Sequence, residues 1–453
     1  RAEEARPDLE RAAVLRPDDV SIDYFLGMGA LLSGDSPRVI SHMTRFSERS
    51  RNADRLVVAL QVLADAHQSR GEARPALAAL NQLAGLDPKN LIARALVARK
   101  RAEMEGFSVA FEAARAAARG PRADAGDHFA LGILYAEWPG PGHGLAAIAA
   151  LGSAAALAPR DRGPVLARAR ELERAGRPNS ARLLLARRLG ADPDDAEVLL
   201  ALAGMERVAG DHSAARRRYN ELLEVGARLP RRLRERAELG TLSSLLDEGE
   251  PAVAWAWVER LYGSLAPTDP RRLRLASALL RLGRLAEAEA ALASLIKASS
   301  PARRSVPRGL RARVLLSAND REGARHEYRA LVAEVGQGPL PLGLGLWAGV
   351  ALSDADLPAA RKLWRRAAST GPRWGPLAWQ TRVCGFLAGD LSAEDVELAL
   401  RLAEPDERND ARYLLGLGRR LTGVGGQRDF QRALALSARG EFPRRLIERA
   451  LGE

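Results

Sequence analysis

The stretch Gly283-Arg-Leu-Ala-Glu-Ala-Glu-Ala-Ala-Leu-Ala-Ser-Leu295 decides the fold of this 453-residue chain. Its glycine is followed by a small residue, Ala288, and then by the larger apolar residues Leu292 and Leu295. The i, i+4, i+7 spacing of these three side chains places them on one face of a helix. The stretch therefore predicts a turn at the glycine, followed by a helix with one apolar stripe.

The same pattern returns along almost the whole chain, with a period of about 34 residues that is typical of helical repeats. Prolines such as Pro88 and Pro193 often close a unit, because a proline ring stops a helix. Where a glycine is missing, Asn319, the pair Ala355/Asp356 or the stretch 140–144 fills the gap. Glycines predict turns at Gly34, Gly71, Gly106, Gly176, Gly210, Gly249, Gly283, Gly389 and Gly423. Small and large residues follow as Ala76/Leu80, Ala147/Leu151, Ala181/Leu185, Ala215/Tyr219, Ala254/Val258, Ala288/Leu292, Ala324/Tyr328 and Ala360/Trp364.

Short motifs within these units resemble those of one known family. Leu131-Gly132-x-x-Tyr135 stands in a first helix, and Leu86-Asp87-Pro88 stands at the end of a unit. The chain resembles the tetratricopeptide repeat (TPR) family, whose unit has a small residue in its first helix, glycine at the turn, alanine in its second helix and proline at its end. The resemblance implies an all-α fold, a right-handed α-solenoid of about 13 tandem helix-turn-helix repeats.

The repeat pattern predicts one continuous domain over residues 1–453, because each unit of a solenoid packs only on its neighbours. Residues 1–19 match the second helix of a unit and predict a half repeat from a longer chain. Residues 20–438 hold the tandem repeats, and residues 439–453 read as a C-terminal capping helix. Longer steps near Gly71 and Gly249 predict short insertions.

Two uncharged stretches, 138–159 and 335–353, contain several prolines and glycines. Neither offers the roughly 20 apolar residues that a membrane span needs, so both are predicted to be repeat helices, and no transmembrane segment is expected. The single cysteine, Cys384, excludes an internal disulfide framework and a multi-cysteine zinc site. An arginine-rich composition is typical of a GC-rich bacterial genome, and both the bacterial cytoplasm and the cell envelope remain open.

The net charge of +12 is concentrated in the middle of the chain, where 20 Lys and Arg face 11 Asp and Glu between Arg216 and Arg313. Two interpretations stay open. In the first, the arginines are solvated faces and helix-terminal charges. In the second, they form an anion-binding surface, since guanidinium groups bind carboxylates and phosphates through paired hydrogen bonds. Nucleic acid is disfavoured, because aromatic residues do not alternate with the arginines as a base-stacking platform requires.

No motif predicts catalysis. The six histidines are scattered through different units without the spacing of metal ligands. Gly343-x-Gly345-x-x-x-Gly349 falls inside a predicted helix, which favours close helix packing, whereas a dinucleotide motif follows a strand. We therefore expect no catalytic residue, no cofactor and no metal, and we predict that the chain is not an enzyme.

The resemblance implies a binding surface along the concave face, which the first helices of a TPR array line. At corresponding first-helix positions stand Arg99, Arg170 and Arg313, which would face an acidic partner. These positions lack the asparagine of a chaperone-type carboxylate clamp. Trp379, on the first helix of its unit, is a further candidate contact, because aromatic anchors dominate binding interfaces.

The predicted function is a non-catalytic scaffold that binds a partner protein or peptide. One alternative is a structural protein that assembles head to tail through its terminal segments, 1–19 and 439–453, as a homo-oligomer. Another alternative is the TPR segment of a larger enzyme, or of an envelope protein that assists polymer export.

Overall fold

The computed structural model contains 26 α-helices in chain order and no β-strand among the residues it describes. Two compact units divide the chain, Arg1–Ala175 and Gly176–Glu453. The continuous domain predicted over 1–453 stays a prediction. The described residues are 2–33, 35–137, 142–226, 229–269, 271–299, 304–336, 338, 340–371, 378–400, 403, 407–423, 425–436 and 444–452.

The first unit contains ten helices in the described part of the chain, and the half repeat predicted over residues 1–19 stays a prediction. They are α1 (Ala2–Leu15), α2 (Val20–Ser33), α3 (Ser36–Arg49), α4 (Ala53–Ser69), α5 (Ala73–Leu86), α6 (Leu91–Glu105), α7 (Phe107–Arg119), α8 (Ala125–Glu137), α9 (His143–Leu157) and α10 (Arg162–Arg174).

The second unit contains the remaining sixteen helices of the described part of the chain. They are α11 (Pro178–Ala191), α12 (Ala196–Val208), α13 (His212–Glu224), α14 (Arg231–Asp247), α15 (Pro251–Tyr262), α16 (Arg272–Arg281), α17 (Leu285–Ala298), α18 (Ser305–Ala318), α19 (Arg321–Val335), α20 (Leu342–Leu352), α21 (Leu357–Thr370), α22 (Ala378–Ala388), α23 (Ala393–Ala399), α24 (Arg408–Leu421), α25 (Gln427–Leu436) and α26 (Arg444–Gly452). Of the predicted capping helix, residues 439–443 lie outside the described part.

The turns of the helical hairpins lie where the glycines predicted them. Gly283, between α16 and α17, has a φ of 73°, a left-handed conformation that other residues rarely adopt. Asn319 takes the same role between α18 and α19 with a φ of 69°, as its short polar side chain permits. Gly34 and Gly140 lie outside the described residues. The other predicted turn glycines with positive φ are Gly71, Gly106, Gly176, Gly210, Gly249, Gly389 and Gly423.

The predicted apolar stripe forms the core. Ala288 and Leu292 are fully buried, and every other small and large residue of the predicted pairs is at most 5% exposed. Small residues on the first helices make room for the large ones. A Cβ atom at Gly349 of α20 would overlap the indole of Trp364 in α21. A Cβ atom at Gly345 would likewise overlap Ala367, so close packing explains two glycines of the 343–349 motif, whereas Gly343 has no neighbour within 4 Å.

The short insertions predicted near Gly71 and Gly249 are helical residues. The two first helices that precede these turns, α4 and α14, each have 17 residues, whereas most other helices have 13 to 15. The extra residues therefore lengthen a helix by about one turn and leave the hairpin turn itself short.

First helices of successive hairpins also pack on each other, so they form the inner row of each unit. In the first unit α6 packs on α8, and α8 packs on α10. In the second unit the same holds for α18 with α20 and α20 with α22. No two successive second helices pack to this extent within the described residues. The inner row is the face on which the resemblance places a partner.

The two uncharged stretches form repeat helices where the structure describes them. The first contributes α9, and the second contributes α20, eight of whose residues are buried. Within the described ranges, no helix combines the length and the apolar character needed to cross a bilayer.

Candidate partner-binding surface

Arg99 lies on the inner row of the first unit, in α6. The side chain of Asn90 caps the start of α6 by accepting a hydrogen bond from the backbone N–H of Ala93. Arg99 Nε lies 2.9 Å from Glu137 Oε2, at the C-terminal end of α8. Because α6 and α8 are successive first helices, this ion pair joins two neighbouring repeats across the predicted binding face.

Glu137 is influenced by charged side chains from both neighbouring first helices, α6 and α10. Its side chain is 14% exposed, and burial raises its pKa, while the positive charges of Arg99 and Arg174 act in the opposite direction. Glu103 of α6 adds to the increase by like-charge repulsion. Glu103 and Glu137 are 34 residues apart, one repeat period, so the array places them side by side. That period is the signal by which sequence reasoning could have found Glu137, which it missed.

The third helix of this face, α10, contributes Arg170, Glu171 and Arg174. Arg170 is exposed, as a partner contact requires. Arg174 lies one turn later on the same side of the helix, and its Nη1 lies 2.5 Å from Oε1 of Glu171. Burial raises the pKa of Glu171, and the charge of Arg174 opposes that increase.

Together these side chains form a surface that we call the charged inner face. It contains four cations and three carboxylates on three successive first helices. One of the cations, Lys100, is buried and forms an ion pair with Glu103. Charge-assisted hydrogen bonds from guanidinium groups are strong and directional, so this arrangement suits the binding of a further carboxylate. The members of the charged inner face are Arg99, Lys100, Glu103, Glu137, Arg170, Glu171 and Arg174.

Arg313, the third predicted arginine, lies in α18 of the second unit and contacts its own chain. Its Nη2 donates to Oδ2 of Asp410 in α24 at 3.3 Å. Its guanidinium carbon lies 5.0 Å from the centre of the Trp347 ring, within the range of a cation–π contact. A role for Arg313 in binding a partner stays a prediction, and such a partner would compete with Asp410.

Trp379 is the second residue of α22, and it is buried. Only 2% of its surface is exposed, and its Nε1 donates to Oε2 of Glu407 at 3.0 Å. It belongs to the large core of the second unit together with Val383 and Phe386. The predicted contact between Trp379 and a partner stays a prediction, and it would require this part of the core to open.

Most arginines of the central basic tract pair within the chain. Many of these pairs join neighbouring repeats, and Arg207, just before the tract, does the same through the 3.0 Å contact between its Nη1 and Asp247 Oδ2. Arg217, Arg232 and Arg236 are exposed and have no ion-pair partner among the described residues. Further pairs are Arg216–Glu248, Arg218–Glu206, Arg274–Glu235, Arg274–Glu238, Arg308–Glu327 and Arg311–Glu327.

Other candidate sites for chemistry are sparse. In the part of the chain that the structure describes, no group of His, Cys, Asp and Glu side chains is arranged to hold a metal ion. Burial raises the pKa of Cys384 to about 12, so this thiol stays protonated and unreactive at neutral pH. His143, at the start of α9, packs edge-on against Tyr135 with ring centres 5.6 Å apart.

The hairpins and their inner row define the class of the protein, an all-α helical-repeat array of the TPR-like solenoid type. No family model matches the chain, and no curated protein matches it either. Among solved structures, a tetratricopeptide repeat protein from Parabacteroides merdae ATCC 43184 is 14% identical, with 69% of this chain and 98% of that chain covered and a TM-score of 0.35.

Two further solved structures match over nearly the full chain. The human IFIT1 dimer with m7Gppp-AAAA is 14% identical, with 96% and 95% of the two chains covered and a TM-score of 0.38. The APC/C hetero-tetramer Cut9-Hcn1 is 13% identical, with 99% and 93% covered and a TM-score of 0.30. At these scores the fold assignment rests on the helices and turns described above.

Proposed function

We propose that this protein is a non-catalytic scaffold that holds an acidic segment of a partner protein on the charged inner face. The observation that carries the proposal is the ion pair of Arg99 with Glu137 beside the ion pair of Arg174 with Glu171 on the next first helix, with exposed Arg170 one turn from Arg174. A carboxylate of the partner would bind Arg170 and compete with Glu137 for Arg99.

Stability alone is a poor explanation for this cluster. Burying an ion pair costs solvation energy that its attraction often fails to recover, and well-packed apolar residues usually serve a core better. The cluster also lies on three successive first helices, α6, α8 and α10, which pack on one another. Functional sites, in contrast, often combine perturbed carboxylates with nearby cations.

The first experiment compares partner capture by the full chain and by two variants. Arg170→Glu reverses an exposed charge, and the double variant Arg99→Gln with Glu137→Gln removes an ion pair without leaving one charge unpaired. Arg217→Glu is the matched control, because Arg217 is also exposed, on α13 of the second unit. Capture is run from native lysate with and without nuclease, followed by mass spectrometry and calorimetry with the purified partner.

The expected result is a partner protein that is still captured after nuclease treatment. Its affinity for Arg170→Glu should be about tenfold lower than for the wild type, a loss of ~1.4 kcal/mol of binding free energy. The double variant should lose a similar amount, and the control should bind like the wild type. Equal affinity of the partner for the wild type, the two variants and the control would exclude the charged inner face as the binding site. Loss of the partner on nuclease treatment would point to nucleic acid instead.

Head-to-tail assembly remains the second candidate. Val14 and Leu15, at the end of α1, are each 81% exposed and offer an apolar contact. The opposite segment supports this candidate less, because Leu446 and Ile447 of α26 are buried against their own unit. Light scattering over a concentration series tests assembly, and a constant monomer mass would contradict it. A role as the TPR segment of a larger enzyme or of an envelope export protein likewise stays a proposal.

A further inference from the structure

A narrow cleft lies in the second unit, where α18, α20, α24 and α26 meet. Its volume is about 170 Å³, and it is partly open to solvent. Leu316 of α18, Val350 of α20, Leu417 of α24 and Leu446 of α26 form an apolar wall. A cavity of about 150 Å³ between apolar side chains holds one benzene molecule. The cleft therefore has room for a small organic molecule.

Small side chains keep this cleft from closing. Ala351 of α20 and Ala450 of α26 contribute only methyl groups to its surface, and Ser353 contributes a short hydroxyl side chain. The core beside the cleft is close-packed, as protein interiors are in general, and Ile447 of α26 is fully buried there. Three small residues therefore determine the space at this point, and a larger side chain in place of Ala450 would reduce it.

Part of the cleft wall carries charge. Asp354, which follows α20, forms ion pairs with Arg321 and Arg325 of α19. Nη2 of Arg325 lies 2.7 Å from Oδ1 of Asp354, and its Nε donates to the backbone oxygen of Ala351 at 2.9 Å. Burial opposes ionisation of Asp354, yet the hydrogen bonds from the two arginines lower its pKa below the usual value. Asp354 is thus ionised, and it stays paired with Arg325 when Arg321 binds another anion.

The charged part of the wall contains more cations than anions. Of the charged residues that line the cleft, Arg321 and Arg420 are cations and Asp354 is a carboxylate. Arg420 belongs to the last turn of α24 and Arg321 is the first residue of α19, so the two guanidinium groups reach the cleft from different repeats. Charge-assisted hydrogen bonds between guanidinium groups and carboxylates are strong, and more so in a partly enclosed site than in water. This part of the wall therefore suits one further carboxylate.

We propose that the cleft binds a small monocarboxylic acid whose apolar part is about the size of a benzene ring. The carboxylate binds Arg321 and Arg420, and the apolar part packs against Leu316, Val350 and Leu417. An inorganic anion would use only the charged part of the wall, and a hydrocarbon would use only the apolar part. Ligand sites commonly combine an apolar surface with a few polar groups that fix the orientation of the ligand. The charged inner face lies in the other unit, so this inference does not depend on the proposed function.

Calorimetry with the full chain tests the site, with benzoate as the probe and benzyl alcohol as its uncharged counterpart. Benzoate should bind saturably, and benzyl alcohol should bind about tenfold more weakly or less, because it lacks hydrogen bonds between charged groups. The double variant Arg321→Gln with Arg420→Gln should weaken benzoate binding by a similar factor. Arg329→Gln is the matched control, because Arg329 is an exposed arginine of α19 outside the cleft wall. Absence of saturable benzoate binding, or equal affinity for the wild type and the double variant, would overturn the proposal.

The variant Ala450→Leu tests the location of the ligand from the apolar side. Its added side-chain atoms would occupy the space of the ligand while the charged residues stay in place, so benzoate binding should be lost. Benzoate should raise the unfolding temperature of the wild type and leave that of Ala450→Leu unchanged. If Ala450→Leu does not fold, the arginine variants decide alone. Equal benzoate affinity of Ala450→Leu and the wild type would place the ligand elsewhere and overturn the proposal.

Discussion

Arg313 and Asp410 are separated by 97 residues of sequence, yet Nη2 of the arginine lies 3.3 Å from Oδ2 of the aspartate. The pair joins α18 to α24, two first helices with two hairpins between them. A repeat that packs only on its neighbours does not make such a contact. The inner row of the second unit therefore curves enough to bring the first helices of two non-adjacent repeats into hydrogen-bond distance.

We expect the coupling between Arg313 and Asp410 to be small and measurable. The side chains are 31% and 21% exposed, and partly exposed ion pairs contribute about 0.2–1 kcal/mol. A double-mutant cycle with Arg313→Ala and Asp410→Ala, followed by urea unfolding, measures this energy. It should decrease in 1 M salt, about ten times the ionic strength at which the screening length is near 10 Å. A coupling of zero in both conditions would contradict a stabilising contact between these two side chains.

Two glycines of α20 should respond differently to replacement by alanine. At Gly349 an added Cβ overlaps the buried Trp364 indole, so Gly349→Ala should destabilise the protein by about 1–3 kcal/mol. At Gly343, on the same helix, an added Cβ meets no neighbour within 4 Å. Gly343→Ala should be neutral or stabilising by up to about 1 kcal/mol. Thermal unfolding of both variants checks this, and equal melting temperatures would contradict the packing described for Gly349.

Two buried tyrosines form a second matched pair. The hydroxyl of Tyr262 donates to Oε2 of Glu238 at 2.6 Å, and its removal in Tyr262→Phe should cost about 1.5–3 kcal/mol, the range for bonds to charged groups. The hydroxyl of Tyr328 is buried without a hydrogen-bond partner among the described residues. Tyr328→Phe should therefore leave stability unchanged or raise it. Chemical denaturation at pH 7 measures both, and a larger loss for Tyr328→Phe would reverse the assignment of these hydroxyls.

The stability of the protein should depend on pH through Glu137. Its pKa in the folded state is raised above the ordinary value of 4.5, chiefly by burial. A raised pKa means that the contribution to folding is complete below 4.5 and is lost as the pH rises through the folded-state pKa. Glu137→Gln cannot ionise, so its stability relative to the wild type should increase from pH 4 to pH 7.

Urea unfolding at several pH values between 4 and 7 gives this difference directly. Glu112→Gln is the control, because the carboxylate of Glu112 on α7 is 66% exposed and, among the residues that the structure describes, forms its ion pair with Arg115. A difference between Glu137→Gln and the wild type that does not change with pH would mean that Glu137 is not buried among these charges.

The sequence predicted most of what lies within one repeat. The stripe that starts at Ala288, and the turn at Asn319, follow from local spacing and from the few residues that tolerate a left-handed backbone. The contact between Arg313 and Asp410 depends on the curvature accumulated over several repeats, which no single period encodes. Trp379 shows the same limit, since its place on a first helix follows from the period, whereas its burial arises from packing in the core of the second unit.

The charged inner face could be predicted only in part, for a related reason. Arg99 and Arg170 stood out because arginine on a first helix is easily recognised. Glu137 became visible only when compared with Glu103, one period earlier. Its pKa depends on burial, which side-chain packing in three dimensions determines.

The ion pairs between neighbouring repeats restrict how this array can change in evolution. Arg207 of α12 pairs with Asp247 of α14, so the earlier repeat supplies the cation at this junction. At the next junction Glu235 of α14 pairs with Arg274 of α16, so the earlier repeat supplies the carboxylate. Removal of one whole repeat would therefore bring the wrong partners together, even though the hairpins would still stack. At these two junctions each repeat is matched to its own neighbour, so loss of the repeat between them would leave a mismatch of charge.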